Sequence, residues 1–315
     1  MRAARGSIRR AAVGGCGVGL CLLLLATGCV SPAYRQVSLS PTAFASPTAL
    51  PTAGMPPLRM AVAAILSPQT TTHDYGRLVA YLEHRLDRPV ELIQRGTYAE
   101  TNELIRTRQV DLAFVCTGAY VQGERDFGLE VLVVPQVAGE TSYRSYLIVP
   151  ADSSAQRLED LRGGVFAFTD PFSLSGYLVS LYALQLIGET PDTFFGRTLF
   201  TYSHDNSIRA VMEGWVDGAA VDSLVYDALT TQDPAYRERT RVIWRSETFG
   251  APPVVVHPGL HPEVKEQWRR LFLEMDQDVE GRYALLPLGV ERFVAADSRL
   301  YDSARAVLAA VGAPQ

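Results

Sequence analysis

Residues 96–121 read GTYAETNELIRTRQVDLAFVCTGAYV, and residues 201–227 read TYSHDNSIRAVMEGWVDGAAVDSLVYD. Shifted by 106 positions, the two stretches align without a gap. The aligned pairs are Tyr98 with His204, Val110 with Val216, Asp111 with Asp217, Cys116 with Asp222, Thr117 with Ser223, and Tyr120 with Tyr226. Few positions are identical, but two similar α/β lobes facing each other would direct equivalent strand ends into one cleft. The duplication therefore predicts a two-lobed α/β fold with a ligand cleft between the lobes.

The sequence around each copy alternates short apolar runs with helical patterns. The strand-like runs are 58–66, 90–94 and 110–115 in the first set, and 165–168, 198–203 and 218–221 in the second. This alternation is typical of βαβ units and of a largely parallel sheet.

Two extended segments, 143–149 and 241–259, are expected to connect the lobes. One crosses from the first lobe to the second and the other returns, and two such crossings form a hinge. We therefore expect lobe 1 at 58–145 and lobe 2 at 146–247. Residues 248–315 are expected to form the return crossing and C-terminal helices that pack on lobe 1.

The first 57 residues are interpreted as an export signal and a tether. A basic start and an apolar run at 11–26 end in LATGC, which resembles a bacterial lipobox. The pattern predicts a lipoprotein signal peptide at 1–28 and lipidation of Cys29, and the alternative is a plain secretory signal. Residues 29–57 are rich in Pro, Ser, Thr and Ala, which predicts a disordered tether. The folded part is therefore expected outside the cytoplasm, anchored to the membrane in a periplasm or on the outer cell surface.

Charge and cysteine content exclude some classes of function. Loss of the four arginines of the leader takes the formal net charge from −5 to −9, which argues against binding to nucleic acid or to anionic lipid headgroups. Apart from the leader and Cys29, Cys116 is the only cysteine. No intramolecular disulfide is therefore possible, and the thiol is either buried and inert or functional.

The stretch DPFSLSG at 170–176 joins a strand-like run to a helical run. Ser173 and Ser175 can cap the helix, and their hydroxyls and the free N–H groups of the helix start suit a small oxyanion. Gly176 would let an anion approach the main chain. Taken alone, the stretch is more typical of an ordinary serine-capped helix.

Four stretches carry a resemblance to a known family: DPFSLSGYL, YSHDNSIRAVMEGWVDGAAVDS, APPVVVHPGLHPEVKE and LGVERFVAADSRLYDSAR. From Leu58 onward the chain resembles the phosphate, phosphite and phosphonate substrate-binding proteins of ABC transporters. The resemblance implies a type II-like periplasmic-binding-protein fold that closes over a phosphonate, phosphite or phosphate and presents it to an ABC permease. It also implies ligand contacts from Ser173, Ser175, His204 and Asp222.

Each implied contact has a chemical role and a competing explanation. His204 would donate to a ligand oxygen, and burial beside an anion would favour its protonated form. Asp222 would accept from a ligand P–OH, an arsenic OH or a ligand amine. The alternatives are a capping or core histidine and a loop cap.

Lobe 1 offers further candidates at the ends of its predicted strands. These are Tyr75, Tyr98, Thr117 and Tyr120. For each tyrosine, packing in the core is an equally good explanation.

Two departures from the family pattern leave an alternative function open. Leu174 stands where a threonine is common, and Cys116 ends a predicted strand where Gly or Pro is common. A thiol suits trivalent arsenic better than phosphate. The alternative is therefore a ligand sensor for a membrane kinase or cyclase, which could recognise arsenite through Cys116. A small buried apolar residue is the competing explanation for this cysteine.

Catalysis and metal binding are not expected. SLSG lacks the leading glycine of a GxSxG elbow, and nothing in the sequence establishes a thiol, imidazole and carboxylate chain. His73, Asp74 and His84 lack the spacing of a metal site on one helix face. We therefore expect a binding protein without a cofactor.

Overall fold

The computed structural model describes residues 56–297 and 299–312. The predicted leader, Cys29 and nearly all of the tether lie outside the described residues. None of the helices in the described ranges is both long and apolar enough to cross a membrane.

The described chain alternates strands and helices. The strands are β1 Leu58–Val62, β2 Val90–Gln94, β3 Leu112–Phe114, β4 Glu130–Gln136, β5 Ser142–Tyr143, β6 Ser145–Pro150, β7 Val165–Phe168, β8 Arg197–Phe200, β9 Gly218–Asp222, β10 Thr240–Arg245, β11 Phe249–Gly250, β12 Val254–Val256 and β13 Arg292–Val294. The helices are α1 Pro68–Leu86, α2 Tyr98–Arg106, α3 Thr117–Phe127, α4 Val179–Leu186, α5 Pro191–Phe194, α6 His204–Met212, α7 Ser223–Gln232, α8 Pro234–Arg239, α9 Pro262–Leu273, α10 Val279–Leu285 and α11 Asp302–Val311. A single π-helical turn, Leu174–Leu178, leads into α4.

Two main sheets carry the same topology. One has the strand order β13-β4-β12-β3-β1-β2 and the other has the order β10-β6-β9-β7-β8. In the first sheet β1 runs parallel to β2 and β3, and the antiparallel strand β12 pairs with β3. In the second sheet β7 runs parallel to β8 and β9, and the antiparallel strand β6 pairs with β9. The predicted two-lobed α/β fold is confirmed, and we call the sheet that contains β1 lobe 1 and the other lobe 2.

The repeat seen in the sequence is also a repeat of structure. Helix α2 begins at Tyr98 and α6 begins at His204, which is the offset of 106 residues found in the alignment. The same offset separates the starts of α3 at Thr117 and α7 at Ser223. Equivalent residues therefore occupy equivalent helix starts in the two lobes.

The two crossings pair with each other. Strands β5 and β11 form a two-stranded antiparallel ribbon, in which Tyr143 lies opposite Phe249. The two segments that we expect to connect the lobes therefore lie side by side at this point.

The C-terminal helices divide between two positions. Trp268, Phe272 and Met275 of the segment that starts with α9 are buried in the core of lobe 1. Helix α11 differs from the expectation, because it contacts α3 of lobe 1 and also α4 of lobe 2. Its Val307 shares one buried apolar cluster with Leu178 of lobe 2.

Candidate ligand-binding site

Polar side chains from both lobes meet where the repeated helices begin. Tyr98 and Cys116 stand at the starts of α2 and α3 in lobe 1, and His204 and Asp222 stand at the equivalent starts in lobe 2. All four are buried. The turn that contains Ser173 joins this group, because Ser173 Oγ lies 3.9 Å from Cys116 Sγ and 3.4 Å from His204 Nε2.

The serine turn is capped by protein groups. Ser173 is its N-cap, and Ser173 Oγ accepts a hydrogen bond of 3.0 Å from the Gly176 amide. The Leu174 amide points toward the Cys116 thiol. The Gly176 amide thus has a protein partner and is not a free donor. The Ser175 hydroxyl is buried without a partner among the described residues and is a donor that this turn can offer to a solute.

Gly176 is required by packing, and the approach of an anion to its main chain stays a prediction. A Cβ atom at this position would lie 2.4 Å from Thr169 Oγ1. That contact is far inside van der Waals distance, so only glycine fits against Thr169 here.

His204 is held as a neutral imidazole, and the expectation of a protonated side chain was wrong. Its Nδ1 accepts a hydrogen bond of 3.0 Å from the Asp222 amide, which leaves the proton on Nε2. Complete burial lowers the pKa of His204 to about 3, since a buried charge loses its hydration. Nε2–H faces Ser173 and can donate to a solute at that point.

Asp222 has two tasks in the structure. Its Oδ1 caps α7 by accepting from the Leu224 and Val225 amides at 2.7 and 3.3 Å. Burial raises the pKa of this carboxyl to about 7, although the two amides oppose the shift. Near neutral pH the group can therefore hold or release a proton. The remaining oxygen can accept a hydrogen bond from an acidic solute, or donate one when the carboxyl is protonated.

Three buried hydroxyls in this region lack a hydrogen-bond partner among the described residues. They belong to Tyr98, Tyr143 and Ser175. Buried polar groups are nearly always paired, so an unpaired cluster points to a ligand. The same hydroxyls are sealed from solvent, and a solute can reach them only when the lobes separate.

Tyr143 was missed by the sequence analysis. It lies in β5, a segment that we interpreted only as a crossing between the lobes. The Tyr143 hydroxyl lies near the hydroxyls of Thr117 and Ser175, so it faces the same polar cluster from β5. A tyrosine in a crossing segment between two lobes is the only signal that the sequence carried.

The lobe 1 candidates have different outcomes. Tyr98 is fully buried in the polar cluster, where burial strongly raises the pKa of its phenol. Thr117 lies at the edge of the cluster and donates to the Gly250 carbonyl in the return crossing at 2.8 Å. Tyr75 packs edge-on against Phe114 at 5.1 Å between ring centroids.

Tyr120 does not face the cluster, and its assignment to the site was wrong. Its hydroxyl donates to Glu124 at 2.6 Å, and its ring packs on Tyr301 with centroids 4.7 Å apart. Tyr120 is one helical turn past the start of α3 and points toward α11 instead of the cleft.

Cys116 is a buried free thiol. Burial raises its pKa to about 11, and the Leu174 and Gly118 amides only partly offset that effect. The group is therefore a neutral thiol at physiological pH, and it lines the cluster beside Ser173.

A cleft of about 940 Å³ opens to solvent beside the cluster. Its walls include Ile65, Tyr75 and Phe114 of lobe 1 and Leu224 of lobe 2, together with Tyr143 and Asp222 of the cluster. Within the described residues, no group of three or more His, Cys, Asp or Glu side chains is placed to hold a metal ion.

Comparison with known proteins identifies relatives of this architecture. Residues 60–301 match the family model described as "ABC transporter, phosphonate, periplasmic substrate-binding protein". The phosphate-import protein PhnD of Mycolicibacterium smegmatis is 28% identical over 211 residues, which cover 64% of this chain and 66%, just under two thirds, of that protein. The phosphonates-binding periplasmic protein of Escherichia coli is 25% identical over 237 residues, covering 74% of this chain and 70% of that protein.

Solved structures agree with the family match. A binding protein component of an ABC phosphonate transporter from Pseudomonas aeruginosa superposes with a TM-score of 0.75 at 25% identity, covering 81% of this chain and 86% of that one. A Prochlorococcus marinus protein in complex with methylphosphonate gives a TM-score of 0.72 at 20% identity, with coverage of 80% and 97%, and shows the shared fold. The chain therefore belongs to the family of periplasmic phosphonate substrate-binding proteins of ABC transporters.

Proposed function

We propose that this protein is a solute-binding protein that closes over a small phosphorus oxyanion and presents it to an ABC permease outside the cytoplasm. The observation that carries the proposal is the cluster of unpaired hydroxyls from Tyr98, Tyr143 and Ser175, buried where the two lobes meet. A tetrahedral oxyanion offers several acceptors in a small volume, which matches donors that converge from both lobes.

The ligand contacts follow from the chemistry of each group. Hydroxyls and the Nε2–H of His204 donate to unprotonated oxygens of the ligand. Asp222 faces the oxygen that carries a proton, because an ionised carboxylate repels a bare oxyanion. A phosphonate, phosphite or phosphate that retains one P–OH fits this division of donors and acceptors.

The test is a thermal-shift screen with phosphate, phosphite, methylphosphonate, aminoethylphosphonate, arsenate and arsenite. A ligand present at about 100 times its dissociation constant should add roughly 2.7 kcal/mol to the free energy of unfolding. At least one phosphorus oxyanion is expected to raise the melting temperature, and sulfate is the matched control anion without a proton at neutral pH. Failure of every phosphorus oxyanion to shift the transition would overturn the proposal.

A second candidate function rests on the position of Cys116. Its thiol lines the same cluster, 3.9 Å from Ser173 Oγ, and sulfur is a good ligand for trivalent arsenic. The partner would then be a membrane kinase or cyclase instead of a permease. Cys116→Ser should abolish an arsenite response and leave phosphorus oxyanions unaffected, and an unchanged arsenite response would remove this candidate.

We also propose that lipid on Cys29 anchors the protein to the membrane. The LATGC motif and the polar segment after it support this assignment. The wild-type protein should partition into the detergent phase of a cloud-point extraction, and Cys29→Ala should move it to the aqueous phase. Equal partitioning of the two proteins would contradict the anchor.

A further inference from the structure

Helix α1 of lobe 1 begins without a cap of its own. Its N-cap residue is Ser67, whose side chain makes no capping bond, and its first turn contains no acidic residue. A helix start leaves N–H groups without partners and carries a partial positive charge. A negative group near Ser67 would therefore stabilise this end of α1.

Lobe 2 provides that negative group through Asp205. Asp205 Oδ1 accepts a hydrogen bond of 3.0 Å from the Ser67 amide, and Oδ2 accepts one of 3.3 Å from Thr70 Oγ1. The neighbouring His204 amide donates in the opposite direction, to the Ile65 carbonyl at 2.9 Å. All three bonds join one lobe to the other, and Asp205 is only 2% exposed.

A related contact occurs at the equivalent position of the repeat. Tyr98 of lobe 1 corresponds to His204 of lobe 2, and the Tyr98 amide donates to Asp170 Oδ2 at 3.0 Å. Asp170 belongs to the first strand-to-helix loop of lobe 2, as Ile65 belongs to that loop in lobe 1. Each lobe thus binds the start of a helix in the other lobe through its first loop.

We propose that Asp205 is a closure latch, and Asp170, a second carboxylate of lobe 2, assists it by accepting from the start of another lobe 1 helix. The Asp205 carboxylate holds the lobes together by capping α1 from lobe 2, and it stabilises the closed arrangement whatever solute is bound. Its two bonds to Ser67 and Thr70 are lost when the lobes separate. Asp205 is thus a positioning residue, since it acts through closure and not through contact with the solute.

The latch has a specific consequence for affinity. The apparent affinity of a solute scales with the fraction of protein in the binding-competent state. Loss of the latch lowers the fraction of closed, binding-competent protein by the same factor whichever solute is present. Overall affinity should therefore fall while the order of preference among solutes stays the same.

The experiment compares Asp205→Ala with Asp233→Ala, a matched loss of a helix cap. Asp233 caps α8 through a bond of 3.0 Å to the Ala235 amide, and this contact lies wholly inside lobe 2. Small-angle X-ray scattering gives the radius of gyration without and with methylphosphonate, and calorimetry gives the affinity for each oxyanion that the wild-type protein binds. We expect Asp205→Ala to be more extended and to bind each oxyanion roughly tenfold more weakly, and Asp233→Ala to match the wild type in both measurements.

Two results would overturn the latch. In one, Asp205→Ala and Asp233→Ala have the same radius of gyration and the same affinities. In the other, affinity falls for one oxyanion only, which would mean direct contact with that solute. Should Asp205→Ala not fold, Thr70→Val removes one of the two bonds and should shift both measurements in the same direction by less. The scattering comparison needs no ligand, so it tests the latch even if no phosphorus oxyanion binds.

Discussion

Asp222 and His204 lie side by side, and burial pushes both toward the uncharged form. Burial raises the pKa of Asp222 to about 7 and lowers that of His204 to about 3, since each group loses hydration of its charged state. The amide of Asp222 also occupies Nδ1 of His204. The cluster thereby avoids a permanent negative charge, which would repel an anion. It keeps one hydrogen-bond donor, the Nε2–H of His204, and one carboxyl whose charge depends on pH, that of Asp222.

The raised pKa of Asp222 predicts how stability depends on pH. The carboxyl is protonated in both states below its ordinary pKa of 3.8, but between there and about 7 only the folded protein keeps the proton. The stabilisation that this proton gives the folded protein is fully present below pH 3.8. It is lost as the pH rises through about 7. Asp222→Asn has no proton to lose and keeps an oxygen to cap α7. The free energy of unfolding of Asp222→Asn in urea, relative to that of wild type, should rise between about pH 4 and pH 8. If the two proteins give parallel curves of unfolding free energy against pH, the raised pKa of Asp222 is contradicted.

The unpaired hydroxyls predict opposite effects on stability and on binding. Tyr143→Phe and Ser175→Ala each remove a buried hydroxyl that lacks a partner. Burying such an unpaired hydroxyl destabilises the folded protein by roughly 1–3 kcal/mol. The free energy of unfolding should therefore stay equal or increase, while affinity for the oxyanion falls by about tenfold or more. Denaturant unfolding and calorimetry provide the two readings.

The control for these variants is Tyr120→Phe. It removes a hydroxyl that is paired with Glu124 at 2.6 Å and lies outside the cluster. It should lower the free energy of unfolding by about 1 kcal/mol and leave the affinity unchanged. Weaker binding in Tyr120→Phe, or normal binding in Tyr143→Phe, would show that the cluster is not the site.

At the scale of the elements, close contact between lobes depends on the start of α3. A Cβ atom on Gly118 would lie 2.3 Å from the Phe172 carbonyl and 2.8 Å from the Leu174 amide, both in lobe 2. Backbone atoms cannot give way as the end of a side chain can. The substitution Gly118→Ala is otherwise favourable in a helix.

Gly118→Ala is therefore expected to hold the lobes apart without unfolding either lobe. The variant should keep the far-ultraviolet circular dichroism of wild type, have a larger radius of gyration and bind oxyanions more weakly. Gly123→Ala is the matched control in α3, because its Cβ would meet side-chain atoms of Leu129 and Phe127 in its own lobe. Scattering profiles of Gly118→Ala that coincide with those of wild type would contradict this account of closure.

Elements were predictable where the sequence repeats itself. The offset of 106 residues placed Tyr98 with His204 and Cys116 with Asp222 at equivalent helix starts, and the structure has them there. The direction of individual side chains was not predictable, because it depends on neighbours that are distant in sequence. Tyr120 lies one turn from Cys116 but packs on the C-terminal segment.

At the scale of the whole molecule, solute access and solute binding require different arrangements of the lobes. Strands β5 and β11 pair with each other, and Tyr143 places a buried hydroxyl without a partner on that ribbon. In the closed arrangement the hydroxyl cluster is sealed, so opening must admit the solute and closure must hold it. The two crossings stay a prediction from the sequence, and only the structure places the Tyr143 hydroxyl beside Thr117 and Ser175.

The most direct test of the central claim is calorimetric titration of methylphosphonate into the wild-type protein and into the double variant Tyr143→Phe, Ser175→Ala. We expect saturable binding at one site per wild-type chain and binding that is at least about a hundredfold weaker in the double variant, as two lost hydrogen bonds to an anion imply. Equal affinity in the two proteins would contradict the claim that lobe closure brings these hydroxyls onto a phosphorus oxyanion.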